Sequence, residues 1–179
     1  NLCVSIVRSG NVIGGGDRGE DRLMTDLIAS FDEKKVFYVR NKKSIRPWQY
    51  VLDSVYGYLL VGENNLKIKK GEIFNLNSKL NNKYTVDYLI KEFEKQIETK
   101  LKIKYSNKKF PEKSVLRLNS EKARKKLNWN TQTPLEETIE KVVDWENFYN
   151  SSKSSIEFSV LEIKSFISEN NIDYDIIKD

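Results

Sequence analysis

The chain has 179 residues, of which 39% are hydrophobic and 32% charged, and its formal net charge is +5. This length can bury the core of one domain, and no apolar run is long enough to cross a membrane. The absence of histidine excludes Ser-His and Cys-His nucleophile pairs and most zinc sites, and the single cysteine, Cys3, can form no internal disulfide. We therefore expect a cytoplasmic protein in which Cys3 is a small buried apolar side chain.

The hydrophobic pattern predicts strands that alternate with helices. A buried strand at residues 2–7 leads through a glycine-rich loop into a helix that begins at Asp21. The other predicted strands cover residues 36–39, 73–76, 101–105 and 115–118. The other predicted helices cover residues 49–63 and 157–168 and three segments that begin at the caps Thr85, Ser120 and Thr133. This alternation defines the α/β class.

Two of these helices carry specific expectations. The helix at 49–63 should place Leu52, Val55 and Leu59 on its inner side. The residues 133–136, Thr-Pro-Leu-Glu, have the pattern of a capping box with proline at the first helical position. A polar break at 151–155 then separates this helix from the last one.

Basic residues crowd the segment 100–126, which holds eleven of them against two acidic residues. One interpretation is a nucleic-acid surface. Such a surface needs aromatic side chains that stack on bases, and the segment contains only Tyr105 and Phe110. We favour a solvated lysine-rich surface and expect neither nucleic acid nor a membrane as a partner.

Gly14, Gly16 and Gly19 satisfy the G-x-G-x-x-G pattern of dinucleotide-binding loops. In such a loop the third glycine lies in the helix and lets it pack closely on the strand, whereas Gly19 is flanked by the charged residues Arg18 and Glu20. No acidic residue ends the next predicted strand. We therefore assign no cofactor-binding residue to this pattern.

The Tyr-x-x-x-Lys spacing of short-chain dehydrogenases occurs four times, at Tyr38/Lys42, Tyr105/Lys109, Tyr149/Lys153 and Tyr174/Lys178. The chemistry needs both side chains one turn apart on a helix, so that the ammonium group lowers the pKa of the phenol. The four tyrosines lie on a strand, before a loop, before the serine-rich break and in the C-terminal tail. None of them is assigned a catalytic role.

Four polar side chains recur at predicted strand ends or helix starts: Asn11, Arg22, Arg46 and Asn75. Ligands of open α/β sheets collect at the carboxyl ends of the strands. Arginine presents a planar fork of donors that suits phosphate, and asparagine offers a donor and an acceptor to a sugar or phosphate oxygen. The residues alone thus indicate an α/β domain that binds a phosphorylated ligand, although each arginine taken singly could be a surface cation.

The amino-acid sequences of several segments are more specific than these residue types. The stretches GNVIGGGD (10–17), DRL (21–23), RN (40–41), SIRPWQYVL (44–52) and GYLL (57–60) closely resemble the CDP-glucose 4,6-dehydratases. These enzymes are extended short-chain dehydrogenases/reductases of the NAD-dependent epimerase/dehydratase superfamily. The resemblance continues through residues 74–75, 85–86, 120–123 and 127–129 and so spans essentially the whole chain.

The resemblance implies the C-terminal part of such an enzyme: the last Rossmann strands and the small substrate-binding α/β domain. Residues 1–179 would be the substrate-binding portion, with a residual Rossmann strand at 1–10 and a C-terminal helix and tail at 150–179. The intact enzyme, a lyase and commonly a homodimer, would use NAD to convert CDP-glucose to CDP-4-keto-6-deoxyglucose, a precursor of sugars on surface polysaccharides.

The resemblance also implies roles for five residues. Asn11 would lie against the sugar diphosphate, Arg22 and Leu23 would face the nucleotide, and Arg46 and Asn75 would contact the diphosphate. The NAD loop, the Ser/Thr-Tyr-Lys catalytic set and the acid pair of the family should all lie before residue 1. We therefore expect that this chain alone neither holds NAD tightly nor turns over, and that it exposes the apolar faces of its first strand and neighbouring helices.

The chain departs from the family pattern at Tyr50, where the family has histidine, and at 75–77, where Asn-Leu-Asn replaces Asn-Phe-Gly. A further departure is the lack of the family histidine after Pro111. Two alternatives therefore stay open. One is a dehydratase or epimerase of another nucleotide sugar, and the other is a non-catalytic nucleotide-sugar-binding protein.

Overall fold

The computed structural model describes residues 3–68, 70–79, 81–106, 113–152 and 154–172. Within them short parallel strands lie between helices, which confirms the α/β class. The strands are β1 (Ile6–Ser9), β2 (Asn11–Ile13), β3 (Phe37–Val39), β4 (Trp48–Tyr50), β5 (Ile73–Leu76) and β6 (Ile103–Tyr105). The helices are α1 (Leu23–Asp32), α2 (Val51–Ile68), α3 (Val86–Gln96), α4 (Glu121–Leu127), α5 (Leu135–Ser152) and α6 (Ile156–Glu169). None of the helices in this part of the chain is long and apolar enough to cross a membrane.

The strands of the described residues pair two by two, and each pair is parallel. The pairs are β1–β5, β2–β4 and β3–β6. A parallel pair needs a crossover between its strands, and the helices α1, α2 and α3 lie in these crossovers. Only Gly10 separates β1 from β2, so the chain passes directly from the first pair to the second.

Three clusters of buried apolar side chains hold these elements together. The largest lies between α1, α3, α5 and the strands β2, β3 and β4, and it includes Leu27, Leu89, Phe93, Ile139 and Val142. The second packs α2 and α4 on β5 around Trp129. In the third, Phe166 and Ile167 of α6 pack on Tyr50 of β4. Each fully buried side chain of this size contributes about 1.5–3 kcal/mol through removal from water.

Helix α3 forms as predicted. The Thr85 hydroxyl accepts a hydrogen bond from the Tyr88 N–H (3.1 Å), and the buried residues of the helix include Val86, Leu89, Ile90 and Phe93. Their spacing places them on one face, so the predicted apolar stripe is the face that packs on the core.

The predicted capping box of α5 is wrong, because Thr133 and Glu136 each bind other partners. The carboxylate of Asp53 in α2 accepts the N–H groups of Gln132 (2.7 Å) and Thr133 (3.2 Å). Glu136, the expected partner of Thr133, binds Lys83 and Tyr88 instead. Burial raises the pKa of Asp53, and the two backbone donors act against that rise.

Two strands were not predicted. Residues 11–13 were expected to be loop, and the helix that was expected from residue 49 begins only at Val51, because Trp48–Tyr50 form β4. Strands of three residues contain too few positions to show an alternation of apolar and polar side chains. Their pairing with each other, across 37 residues of chain, is what makes them strands.

The predicted inner face of the helix at 49–63 is wrong at two of its three positions, while Leu52 packs against the third cluster as predicted. Val55 and Leu59 of α2 are exposed, whereas Asp53, Ser54 and Leu60 are buried. The polar pair points inward because each finds a partner there: Asp53 accepts the N–H groups of Gln132 and Thr133 in the segment before α5, and the Ser54 hydroxyl accepts a 2.6 Å hydrogen bond from Gln49 Nε2. The spacing of apolar residues, on which the prediction was based, does not reveal these partners.

Three smaller predictions need correction. Residues 115–118 form no strand, because only Val115 bridges Ile45. Helix α1 begins at Leu23, since Asp21 has a left-handed φ of 57°. At the start of α4 the Glu121 N–H donates to Asn119 Oδ1 (2.8 Å), while the Ser120 side chain makes no cap.

The first strand is shorter and more exposed than predicted. It runs from Ile6 to Ser9, Val4 and Ile6 are exposed, and Cys3 is only half-buried. Among the described residues it pairs with β5 alone, whose Ile73 is exposed as well. The expectation that apolar faces of the first strand and of α2 are exposed is therefore confirmed, while the domain limits at residues 10 and 150 stay predictions.

Candidate functional site

Two adjoining hollows lie at the N-terminal end of α1. The large hollow has a volume of about 370 Å³, and it is lined by Asn11, Asp21, Leu23, Asp26, Phe37, Tyr38, Val39, Arg40, Asn41, Ser44, Arg46, Trp48 and Val86. The small hollow, of about 270 Å³, is lined by Asn11–Gly14, Asp17, Asp21–Met24 and Trp48. They share Asn11, Asp21, Leu23 and Trp48, so one elongated ligand can occupy both.

The position of Asn11 is fixed where the chain passes from the β1–β5 pair to the β2–β4 pair. Its N–H donates to the Pro47 carbonyl (3.1 Å), and the preceding Gly10 N–H donates to the Leu76 carbonyl (3.2 Å). A Cβ at Gly10 would overlap Asn77 Oδ1, so glycine is required at this crossing. The side chain of Asn11 thus starts β2 at the wall that the two hollows share.

Arg46 lies in the wall of the large hollow. Its Nη1 donates to the carbonyl oxygens of Ile45 (3.1 Å), Lys113 (3.0 Å) and Ser114 (3.4 Å). Three acceptors fix the plane of the guanidinium group. A fixed, planar cation at a cavity wall is suited to a phosphate oxygen.

Arg22 and Leu23 form the N-terminal edge of α1. Arg22 Nη1 donates to Asp17 Oδ2 (2.7 Å), and Leu23, the first helical residue, lines both hollows. Burial opposes the ionisation of Asp17, but the Gly19 N–H and the Arg22 guanidinium outweigh it and lower the pKa of that carboxyl. The loop before α1 is therefore held by an ionised carboxylate.

The glycine-rich loop packs against helix α5. Both nitrogens of the Arg18 fork donate to Glu146 (2.7 Å each), and Gly16 N–H donates to the same carboxylate (3.2 Å). Cβ atoms at Gly15 and Gly16 would meet the Trp145 ring. These glycines thus serve close packing on Trp145, a role that the sequence pattern did not indicate.

Asn75 stands apart from the other four predicted residues. It lies on β5 opposite Arg8, its Nδ2 donates to the Asn119 carbonyl (3.0 Å), and it lines neither hollow. The chain leaves the β1–β5 pair before it reaches Asn11, which separates the end of β5 from the hollows. The structure brings Asn11, Arg22, Leu23 and Arg46 together but does not bring Asn75 to them.

The sequence analysis did not select three further polar side chains that line the large hollow as site residues. Asp26 of α1, Arg40 and Asn41 line it together with the apolar Phe37 and Val39. Burial, and to a lesser extent the nearby Asp21, raises the pKa of Asp26, and Arg40 acts in the opposite direction. Arg40 and Asn41 belong to a segment that carries the family resemblance, whereas nothing distinguished Asp26 from a polar residue on an amphipathic helix.

Trp48 contributes a further polar group. Its ring is buried in β4 and lines both hollows, and its Nε1 has no hydrogen-bond partner among the described residues. A buried donor of this kind is normally satisfied, and an oxygen of a bound molecule can satisfy it.

The fold defines a class of protein. It is similar to the structure of a UDP-glucose-4-epimerase from Stenotrophomonas maltophila with bound NAD and formylated UDP-arabinopyranose, with a TM-score of 0.73 and 13% identity over 84% of this chain and 49% of that one. It is also similar to dTDP-glucose 4,6-dehydratase from Bacillus anthracis in complex with NAD, with a TM-score of 0.66 and 17% identity over 84% of this chain and 45% of that one. The class is therefore that of proteins with the fold of these epimerase and dehydratase structures.

The sequence identifies the family within this class. The model of the GDP-mannose 4,6 dehydratase family matches residues 2–142, and the chain belongs to that family. The chain is also 31% identical over 165 residues to CDP-glucose 4,6-dehydratase of Salmonella typhimurium, an alignment that covers 90% of this chain and 46% of the relative. The chain thus spans about half the length of the curated relatives it matches.

Proposed function

We propose that this chain binds the nucleotide sugar of a 4,6-dehydratase that converts CDP-glucose to CDP-4-keto-6-deoxyglucose. The observation that carries the proposal is the convergence of Asn11, Leu23 and Arg46 on the large hollow, with Arg22 in the hollow beside it. Hollows of this size suit a small ligand with a few fixed polar contacts. The 31% identity to a CDP-glucose 4,6-dehydratase supports the choice of substrate.

The diphosphate is assigned to the region between the two hollows. Arg46 offers a fixed cation from the wall of the large hollow. Asn11 and Trp48 line both hollows, and they offer an amide and a buried indole N–H that lacks a partner among the described residues. Asn75 has no place in this arrangement, and its predicted contact with the diphosphate has no support from the geometry.

The base is assigned to the part of the large hollow that Asp26 and Asn41 line. Cytosine presents an exocyclic amine where uracil and thymine present a carbonyl oxygen, and a carboxylate accepts from the amine but repels the carbonyl. Asp26 is the carboxylate in this position, beside the amide of Asn41. Since Asn41 Oδ1 already accepts from the Lys43 N–H (3.2 Å), its Nδ2 is directed as a donor, which suits the acceptor atoms of cytosine.

NAD is proposed as the cofactor of the whole enzyme, because structural neighbours of the chain contain it. The residues present here do not fit it: the loop 14–19, the one glycine pattern of dinucleotide type that the sequence indicated, is filled by Trp145 and by the Arg18–Glu146 pair. We therefore assign no cofactor contact and no catalytic group to the described residues, and we place NAD binding in the part of the longer relatives that this chain does not match. Pairing of the intact enzyme as a homodimer is likewise proposed by family likeness.

A second candidate is a dehydratase or epimerase of another nucleotide sugar. It is favoured by the 27% identity to the UDP-glucuronate 4-epimerase of Thermodesulfobacterium geofontis over 156 residues. Non-catalytic binding of a nucleotide sugar is a third, and it differs from the first two only in turnover with NAD.

Calorimetric titration of the chain with CDP-glucose, UDP-glucose and dTDP-glucose tests the proposal. We expect CDP-glucose to bind most tightly and the variant Arg46→Gln to lose at least about tenfold in affinity, since it removes a charged phosphate donor. Arg117→Gln is the matched control, because Arg117 is exposed and lines neither hollow. Equal affinity for the three sugars would favour the second candidate, and binding of none of them would refute the proposal.

A further inference from the structure

A third hollow adjoins the candidate site at Trp48. It has a volume of about 410 Å³ and lies between the end of β5, helix α4 and the segment that leads into α5. Residues 77–79, Tyr84, Arg124 and residues 130–135 line it together with Trp48. Among the described residues Trp48 alone lines all three hollows, so a molecule bound here leaves the candidate site open. The volume is in the range of sites for small molecules.

Two lining residues of this hollow carry a buried oxygen atom that lacks a hydrogen-bond partner among the described residues. The atoms are Asn77 Oδ1 and Ser78 Oγ, and Asn77 is only 3% exposed. Asn77 is held in place because its Nδ2 donates to the Leu118 carbonyl (3.4 Å) and its own carbonyl accepts from Ser120 Oγ (3.3 Å). A serine hydroxyl turns about a single bond, so that of Ser78 can be directed into the hollow. Buried polar atoms are normally satisfied, and two neighbouring exceptions are expected where a polar molecule binds.

The charges around the third hollow favour an anion. Lys79 and Arg124 line it, whereas none of the described lining residues is acidic. Neither cation forms an ion pair with another described residue. Glu136, which lies just beyond the lining segment, is paired with Lys83 (2.8 Å) instead. A lysine and an arginine without a competing carboxylate suit a phosphate group.

The rest of the wall suits hydroxyl groups. Asn130 and Thr131 line the hollow, and their side chains carry an amide and a hydroxyl, each of which can both donate and accept. A ligand that carries a phosphate and several hydroxyls can use both parts of the wall, whereas inorganic phosphate can use only the cations. A sugar phosphate is such a ligand.

We propose that the third hollow is a second binding site of this chain and that it takes a small sugar phosphate. The phosphate group is assigned to Lys79 and Arg124, with the Ser78 hydroxyl as a further donor, and the sugar hydroxyls are assigned to residues 130–131. This site is separate from the one of the proposed function, because the two have only Trp48 in common. It depends neither on the choice of nucleotide sugar nor on turnover.

Titration of the isotope-labelled chain with glucose 6-phosphate, followed through the backbone amide signals in NMR spectra, tests the proposal. We expect saturable shifts at Ser78 and Thr131, weaker binding of inorganic phosphate, and no saturable shift with glucose at matched ionic strength. Arg124→Gln should lower the affinity for glucose 6-phosphate at least about tenfold, because it removes a charged phosphate donor. Arg117→Gln is the matched control, since Arg117 is exposed and lines none of the three hollows.

Ser78→Ala separates a ligand contact from a structural role. It should lower the affinity for glucose 6-phosphate about threefold to tenfold, because one hydrogen bond to the ligand is lost. The stability of the unliganded chain in urea should not fall, because the hydroxyl has no partner to lose among the described residues. A fall in stability with unchanged affinity would show that Ser78 serves the fold and not a ligand.

Arg46→Gln distinguishes the third hollow from the candidate site. It should leave the affinity measured at Ser78 unchanged, whether or not the chain binds a nucleotide sugar, because Arg46 does not line the third hollow. An equal loss of affinity in Arg46→Gln and Arg124→Gln would show that the hollows form one site and would overturn the proposal. It is also overturned if Ser78 and Thr131 show no saturable shift, if Arg124→Gln keeps its affinity, or if inorganic phosphate or glucose binds as tightly as glucose 6-phosphate.

Discussion

Arg18 and Glu146, which are 128 positions apart in the sequence, join the glycine-rich loop to α5 by a bidentate ion pair. Each guanidinium nitrogen lies 2.7 Å from its own carboxylate oxygen, and Glu146 is only 7% exposed. The hydrogen bond to Glu146 is the main cause of the raised pKa of Arg18. Because the carboxylate is shielded from water, the pair can hold the loop against the helix more firmly than a surface ion pair would.

Replacement of Glu146 should loosen this loop. In Glu146→Gln the charge is lost while the shape is kept, and we expect a loss of about 1–3 kcal/mol in the free energy of unfolding. Affinity for the nucleotide sugar should fall about tenfold if the loop positions Arg22. Thermal unfolding and calorimetric titration measure the two effects. Glu140→Gln, an exposed change on the same helix, is the control, and equal behaviour of the two variants would contradict the role of the pair.

Two glycine-to-alanine changes should act in opposite directions. A Cβ at Gly15 would overlap the Trp145 ring, so Gly15→Ala should destabilise the chain by about 1–3 kcal/mol. Gly62 lies in α2 with no atom within 4 Å of the added carbon, so Gly62→Ala should stabilise it by about 0.5–1 kcal/mol. Urea unfolding of both variants measures the difference. A Gly15→Ala variant that is as stable as the unchanged chain would show that the loop does not pack on Trp145.

Asp26 should determine the choice of base. Asp26→Asn replaces an acceptor with a group that can also donate, so it should lower the preference for CDP-glucose over UDP-glucose about tenfold. The ratio of the two dissociation constants is the measurement. Asp32→Asn is the matched control, because Asp32 ends the same helix and lines neither hollow. If the unchanged chain prefers CDP-glucose and Asp26→Asn retains the same ratio, the base is read elsewhere while the proposed function stands.

Glu136 should make stability depend on pH in the acid range. Burial opposes its ionisation, but Lys83 and Tyr88 outweigh this effect and lower the pKa of Glu136 to about 2, from an ordinary value of 4.5. The unfolded chain therefore takes up this proton first as the pH falls. The stabilisation is complete above pH about 4.5 and is lost progressively as the pH falls toward 2.

Denaturant unfolding between pH 2 and 7 checks this dependence. Glu136→Gln should flatten the decline of stability below pH about 4.5, because the variant has no proton to take up at this position. Glu140→Gln should decline like the unchanged chain. Parallel curves for Glu136→Gln and the unchanged chain would rule out the contribution of Glu136.

Helices could be predicted where apolar residues recur at helical spacing over the whole segment. The stripe of α3 recurs at helical spacing over a full helix and has a capping threonine, so local information sufficed. In α2 the same rule failed, because Asp53 is buried with partners 79 and 80 positions away and Ser54 with Gln49 of the preceding strand. The strands β2 and β4 were not predicted for a related reason, since each is a strand only through its pairing with the other.

The candidate site divides in the same way. Asn11, Arg22 and Arg46 line the hollows, and they could be selected from the sequence because residue types that suit phosphate are visible at strand ends and helix starts. The prediction for Asn75 used the same rule but assumed one continuous layer, whereas the chain changes strand pair at Gly10. The Arg18–Glu146 pair and the place of Asp26 in the wall of the large hollow depend on which distant elements meet, and the residue types alone do not show this.

Helix α5 is anchored at two separate levels. Just before its start, Asp53 of α2 accepts the N–H groups of Gln132 and Thr133, and in its fourth turn Glu146 holds the glycine-rich loop. The loop is thus connected through α5 to α2. A sugar nucleotide would meet a rim that is already assembled, so its entropy of association need not include the ordering of that rim.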